Sequence, residues 1–198
     1  ERELLRFVEE EIKAQNLLAD YEYKLTSILN NTIRVPILDI EFLTDFDVTI
    51  SFSVNNKLAV INSKLLEVYA NLDPRCRMLA LLIKVWSKIH GVCSAKDGYL
   101  SSYAYNLMVI NFLQMHKPPI LPSLQKLKED LNNEVEPKFL EIIPPKVTWA
   151  NYENYKVRVD FEDDIEKIQD SMKHTFDKNE RTLKDLFERF FKFYRNKK

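Results

Sequence analysis

The sequence predicts an α+β chain that is mostly helical, with a helix and a β-hairpin leading into a helical domain. Three observations carry this. Leu4, Val8 and Ile12 recur at i, i+4 and i+8 among acidic residues, the stripe of an amphipathic helix. In FDVTISFSVNN, Phe46 to Asn56, the side chains Asp47, Thr49, Ser51 and Ser53 interleave with Phe46, Val48, Ile50, Phe52 and Val54. Strict period two reads as a strand with one buried face and one wet face. After Asn55 the spacing turns helical and remains so over most of the chain.

The elements follow in order. The first helix covers roughly residues 2 to 18. TIRVPILDIEF, Thr32 to Phe42, reads as a strand that Pro36 places at an edge or bulge. Leu43 to Asp45 form a short turn into the FDVTISFSV strand, so the two pair as an antiparallel hairpin. LAVINSKLLEVYANL has helical spacing and ends at Asp73-Pro74. RMLALLIKVWSKIHG is a long apolar helix, Arg77 to Gly91, closed by glycine. LSSYAYNLMVINFLQM, Leu100 to Met115, is another, opened by serines able to cap it. KPPILPSLQKL is a bend followed by a short helix. Residues 129 to 158 are polar and proline-interrupted, with no clear period. FEDDIEKIQDSM begins acidic, as a helix N-terminus prefers, and RTLKDLFERFFKFY is a strongly amphipathic last helix. The domains are therefore residues 1–56 and 57–198. Two strands bury no face alone, so the hairpin requires cover from the helical part or strands from outside the chain.

Bulk properties exclude several functions. The chain has 198 residues, 45% hydrophobic and 30% charged, with net charge -1 and pI about 6.4. No global basic signature is present, so nucleic-acid contact would need a local patch. Only Gly91 and Gly98 are glycines, which excludes a P-loop and a dinucleotide fingerprint. Cys76 and Cys93 have no metal-ligand spacing and suit a reducing, intracellular compartment. No apolar run approaches ~18 residues, so no membrane span is expected. The acidic first residues are unlike a signal or transit peptide. His90, His116 and His174 form no cluster.

Four groups of polar residues stand out: the wet strand face ending in Asn55-Asn56; Asn62 in the next helix; Lys84 and Lys88 at i, i+4 in KVWSK; and Ser101, Ser102 and Tyr103 at a helix start. Lysines one turn apart neutralise phosphate oxygens. Serine hydroxyls and free helix N-terminal N–H groups favour phosphate. A tyrosine ring stacks on a base, and an asparagine bonds a ribose hydroxyl. Together they suit a nucleoside triphosphate. Taken singly, each has a structural alternative: a solvated lysine face, a serine cap, a core tyrosine, an asparagine turn.

FSVNNKLAVINSKLLEVYANLDPRCRMLALLIKVWSKIHGV, GYLSSYAYNLMVINFLQ and PPILPSLQ, in that order, resemble the non-classical poly(A) polymerases and terminal uridylyltransferases. YKVRVDFEDDIEK and RTLKDLFERFFKFY resemble the poly(A)-polymerase-associated region of the same family. The resemblance runs from about Thr32 to Tyr194. It implies a partial nucleotidyltransferase palm, here the helix plus β-hairpin of residues 1–56, joined to a helical central domain. It implies template-independent addition of U or A to an RNA 3′ end, with UTP or ATP and RNA as partners and Mg or Mn as cofactor. Asn62 matches the residue that holds the ribose, Lys84 and Lys88 those that bind the triphosphate, and Ser102 a further phosphate contact. Tyr103 matches the aromatic that stacks on the base, and Asn56 an asparagine near the nucleotide.

The sequence departs from the family at its metal site. The family holds two divalent cations with three carboxylates, the third five residues before the second asparagine of the NN pair. Here that position is Ser51, a neutral and much poorer ligand. Asp47 shares the strand face but lies about 13 Å along it. The other two carboxylates belong to a D-x-D upstream of the first helix, before Glu1, and the base-selecting loop follows the last helix. Two expectations result: an RNA 3′-terminal nucleotidyltransferase whose palm is completed by a further segment or a partner protein, or a catalytically dead relative serving as a scaffold or RNA-binding subunit.

Overall fold

A computed structural model describes residues 1–29, 35–43, 48–131, 136–142, 155–176 and 179–195. The chain divides into two compact units, Glu1–Val60 with Lys138–Val159, and Ile61–Pro137 with Asp160–Lys198.

The first unit holds α1 (Arg2–Ala14), β1 (Tyr23–Ile28), β2 (Ile37–Phe42) and β3 (Val48–Phe52). The helix ends short of the predicted boundary, and Asn16 beyond it is left-handed, with φ 50°. The expected hairpin is present as β2–β3, but it is not alone. β1 pairs antiparallel with the other edge of β2, giving the order β1-β2-β3. Sequence reading missed β1 because Ser27 breaks the apolar alternation of YKLTSI. Its hydroxyl faces α1 and donates to the Glu9 carboxylate. β2 is thus central, and Pro36 precedes its first paired residue, where it removes no ladder hydrogen bond. Leu5 and Ile12 of α1 bury against Leu38 and Ile40 of β2, with Val8, Leu25 and Phe42 around them. Each such side chain contributes roughly 1.5–3 kcal/mol on burial. Val48, Ile50 and Phe52, cross-strand partners of Phe42, Ile40 and Leu38, remain 42–46% exposed. Two further strands, β4 (Phe139–Ile142) and β5 (Tyr155–Arg158), pair antiparallel within the segment that showed no period.

In the second unit, α2 (Lys57–Leu72, entering from the first), α3 (Pro74–Ile89), α4 (Ser102–Met115), α5 (Leu124–Leu131), α6 (Ile165–Phe176) and α7 (Leu183–Arg195) match the predicted helices to within a few residues. α3 packs on α4 and α7. Asp73 caps α3, accepting from Arg75 N at 2.8 Å, with Pro74 at the first helical position. Gly91 follows in the left-handed region at φ 67°. Leu79, Ile83, Val109, Leu113, Ile168 and Leu186 form a fully buried core. Trp86 and Phe191 meet edge-on, ring centroids 4.7 Å apart, and so hold α7 to α3. Among the described residues, no helix is long and apolar enough to cross a membrane.

Candidate functional site

The polar residues fall on both units. In the first, Lys24, Thr26, Asp39, Glu41, Thr49 and Ser51 share the sheet face turned away from Leu38 and Ile40. Ser51 is exposed and sits directly opposite Asp39 in the β2–β3 register. Its hydroxyl donates to Asp39 Oδ1 at 2.5 Å. Asp39 is only 9% exposed and makes no other side-chain bond among the described residues. None of its polar atoms is both sealed from solvent and unbonded, so Oδ2 faces water. Sequence reading did not single out Asp39. A turn confined to Leu43–Asp45 would set Ser51 opposite Ile37. The observed register begins with Phe42 opposite Val48 and sets it opposite Asp39. Asp47 lies outside the described residues.

Asn55 and Asn56 are partly what the structural alternative proposed. Asn55 is left-handed, φ 57°, and its amide donates to Glu1 Oε1 at 3.1 Å. The Asn56 side-chain oxygen accepts from Ala59 N at 3.3 Å, opening α2. Its amide N–H2 has no described partner.

In the second unit, α3 presents Lys84 and Lys88 to solvent one turn apart. Neither ammonium has a carboxylate partner among the described residues, whereas Lys64, Lys128, Lys167 and Lys173 do. Ser87 between them is buried and donates to the Lys84 carbonyl, so its hydroxyl is satisfied within the helix rather than facing a ligand. Ser101, not Ser102, caps α4, accepting from Ala104 N at 3.2 Å. Ser102 is the first helical residue, half-buried, with its hydroxyl unbonded among the described residues. Tyr103 is half-buried with no described hydrogen bond, and burial pushes its phenol above the ordinary range. Tyr105 differs. It is buried and donates to the Val92 carbonyl at 3.0 Å, pinning the segment after α3 to α4. Asn62 is half-buried on α2, its amide unbonded among the described residues. No described bond joins Asn62, Lys84, Lys88, Ser102 and Tyr103 to one another.

A cavity of about 350 Å³ lies beside Lys117, Asn179, Arg181 and Asp185 and contains none of these residues. Among the described residues, no three His, Cys, Asp or Glu side chains cluster as a metal site.

No family model matches the chain. It is 33% identical over 166 residues to poly(A) RNA polymerase cid13 of Schizosaccharomyces pombe, covering 83% of this chain and 25% of that protein. Its structure is similar to that of mtPAP in complex with UTP, with TM-score 0.73 and 25% identity over all of this chain and 36% of that one. It is also similar to the Cid1 poly(U) polymerase with Mg and 3′-dATP bound, with TM-score 0.64 and 29% identity over 93% of this chain and 49% of that one. The chain spans a quarter or less of the length of the curated relatives it matches.

Proposed function

The chain belongs to the family of non-classical poly(A) polymerases and terminal uridylyltransferases, and from that membership we propose that the protein is an RNA 3′-terminal nucleotidyltransferase adding U or A without a template. Residues 1–56 are then the end of the palm and residues 57–198 the helical central and poly(A)-polymerase-associated domain. β3 is an edge of the described sheet, so further sheet would pair along it, and the exposed Val48, Ile50 and Phe52 are where cover for this face would pack. The free thiols of Cys76 and Cys93 are in keeping with a reducing compartment.

The observation that carries this reading is the solvent-facing Lys84–Lys88 couple on α3. Two cations a turn apart with no carboxylate partner among the described residues suit a polyanion. In the reaction, the RNA 3′ oxygen forms a bond to the α-phosphorus of the nucleoside triphosphate. The bond from that phosphorus to the bridging oxygen breaks, pyrophosphate departs, and the hydroxyl proton is lost to solvent or base. Lys84 and Lys88 neutralise the phosphate oxygens, and the Ser102 hydroxyl donates to one of them. The Asn62 amide holds the ribose. Tyr103 stacks on the base. A divalent cation, when bound, neutralises charge developing on the phosphate and makes the attacking hydroxyl more acidic.

The test is incorporation of UTP or ATP into an oligoribonucleotide by the full-length protein with Mg or Mn. Lys84→Ala is expected to lower kcat/KM about 10- to 100-fold, as loss of a charge-assisted hydrogen bond does. An intact wild-type protein that incorporates neither nucleotide overturns the proposal. Ser51 favours a second reading, in which the palm has lost its metal chemistry and the protein binds nucleotide or RNA as a scaffold. Nucleotide binding that depends on Lys84 without any turnover would support that reading instead.

A further inference from the structure

We propose that Asp39 is the metal-binding carboxylate of this palm, displaced one strand sideways from the position that Ser51 occupies. The inference rests on the nucleotidyltransferase reading above and names a ligand that the reading lacks. Magnesium and manganese require hard, anionic oxygen donors. A hydroxyl at Ser51 does not meet that need, and the strand it sits on offers no carboxylate among its described residues. The neighbouring strand does. Asp39 and Ser51 are direct cross-strand partners on the same face, which puts their Cα atoms about 4.5–5.5 Å apart. The two side chains close that gap, since the Ser51 hydroxyl touches Asp39 Oδ1. The carboxylate therefore reaches the same patch of the sheet surface from β2.

The hydrogen bond leaves Oδ2 of Asp39 unbonded among the described residues and in reach of solvent. A carboxylate with one oxygen held and one open is oriented as a monodentate ligand, and Ser51 acts as its positioning residue. Glu41, the other carboxylate on this face of β2, is less suitable. It pairs with Lys24 at 3.4 Å and lies opposite Thr49, a further two residues along the strand. The exchange retains the negative charge at the site while changing the strand that carries it.

The test uses the full-length protein and Mn2+ alone, followed by the free-ion paramagnetic resonance signal, with nucleotide incorporation measured in parallel. Asp39→Asn is expected to weaken Mn2+ binding at least ~10-fold and to reduce incorporation by more, since even a residue that only orients a ligand costs about 10- to 100-fold. The transposed variant, Asp39→Ser with Ser51→Asp, is expected to recover Mn2+ binding to within a few-fold of wild type. It also serves as the deciding variant if Asp39→Asn lowers the melting temperature. Mn2+ binding unchanged in Asp39→Asn, or not recovered on transposition, overturns the assignment. An active wild type with Asp39-independent Mn2+ binding sinks this inference alone and leaves the function standing. Asp39-dependent Mn2+ binding in a protein without turnover supports the ligand and sinks the polymerase reading.

Discussion

Two tyrosines two residues apart, Tyr103 and Tyr105, have opposite roles at the residue scale. Tyr105 is buried with its hydroxyl committed to Val92, whereas Tyr103 is half-buried with its hydroxyl unbonded among the described residues. Both came from the same GYLSSYAY stretch, and only burial and bonding separate them. A stacking role for Tyr103 needs the ring alone. Tyr103→Ala is therefore expected to raise KM for the nucleotide by about the 1–3 kcal/mol that base–aromatic stacking contributes, with Tyr103→Phe near wild type. Tyr105→Phe should leave KM unchanged and cost about 0.5–1.5 kcal/mol of stability, as loss of one hydrogen bond does. Steady-state kinetics and denaturant titration of the two phenylalanine variants separate the roles. Equal effects of Tyr103→Ala and Tyr103→Phe on KM would count against stacking.

The orientation of α3 governs the lysine couple at the element scale, and α3 is anchored at its start. Asp73 accepts from the Arg75 backbone N–H and from its guanidinium, and the guanidinium continues to the Asn179 carbonyl at 2.7 Å. The bond to Asp73 holds the Arg75 pKa above its ordinary value, an effect of the same contact. Replacing Asp73 removes a helix cap and an ion pair that are both largely shielded from water. Asp73→Ala is expected to destabilise by at least ~1–2 kcal/mol, the range for a lost cap, seen as a lower melting temperature. Asp73→Asn keeps the cap acceptor and should recover part of the loss. A melting temperature unchanged in Asp73→Ala would show that the anchor lies elsewhere.

Charges nearly cancel across the whole molecule, so its stability against pH is decided by individual groups. Burial depresses the His116 pKa below its ordinary 6.5, helped by Arg181 and Arg189. The unfolded chain therefore takes up this proton first, and His116 begins to cost stability as pH falls through 6.5. Glu9, bonded by Lys13 and Ser27, and Asp185, bonded by Arg189 and Arg181, have depressed pKa values. Their contribution is present above the ordinary carboxylate values of 4.5 and 3.8 and is lost below them. Melting temperature against pH is thus expected to fall in two stages, and His116→Gln should remove the upper stage alone. A single acid transition unchanged by that variant would contradict the assignment. The sequence alone determined the helices, the serine cap that opens α4, and the order of the NN, KVWSK and LSSYAY motifs, because helical period and capping are local properties within one or two turns. It did not determine that Tyr23–Ile28 is a strand, that β2 is central, or that Ser51 faces Asp39. Strand pairing joins residues far apart in the chain, and alternation specifies a face while leaving the register open. Tertiary structure decided those, and with them which carboxylate stands beside the serine.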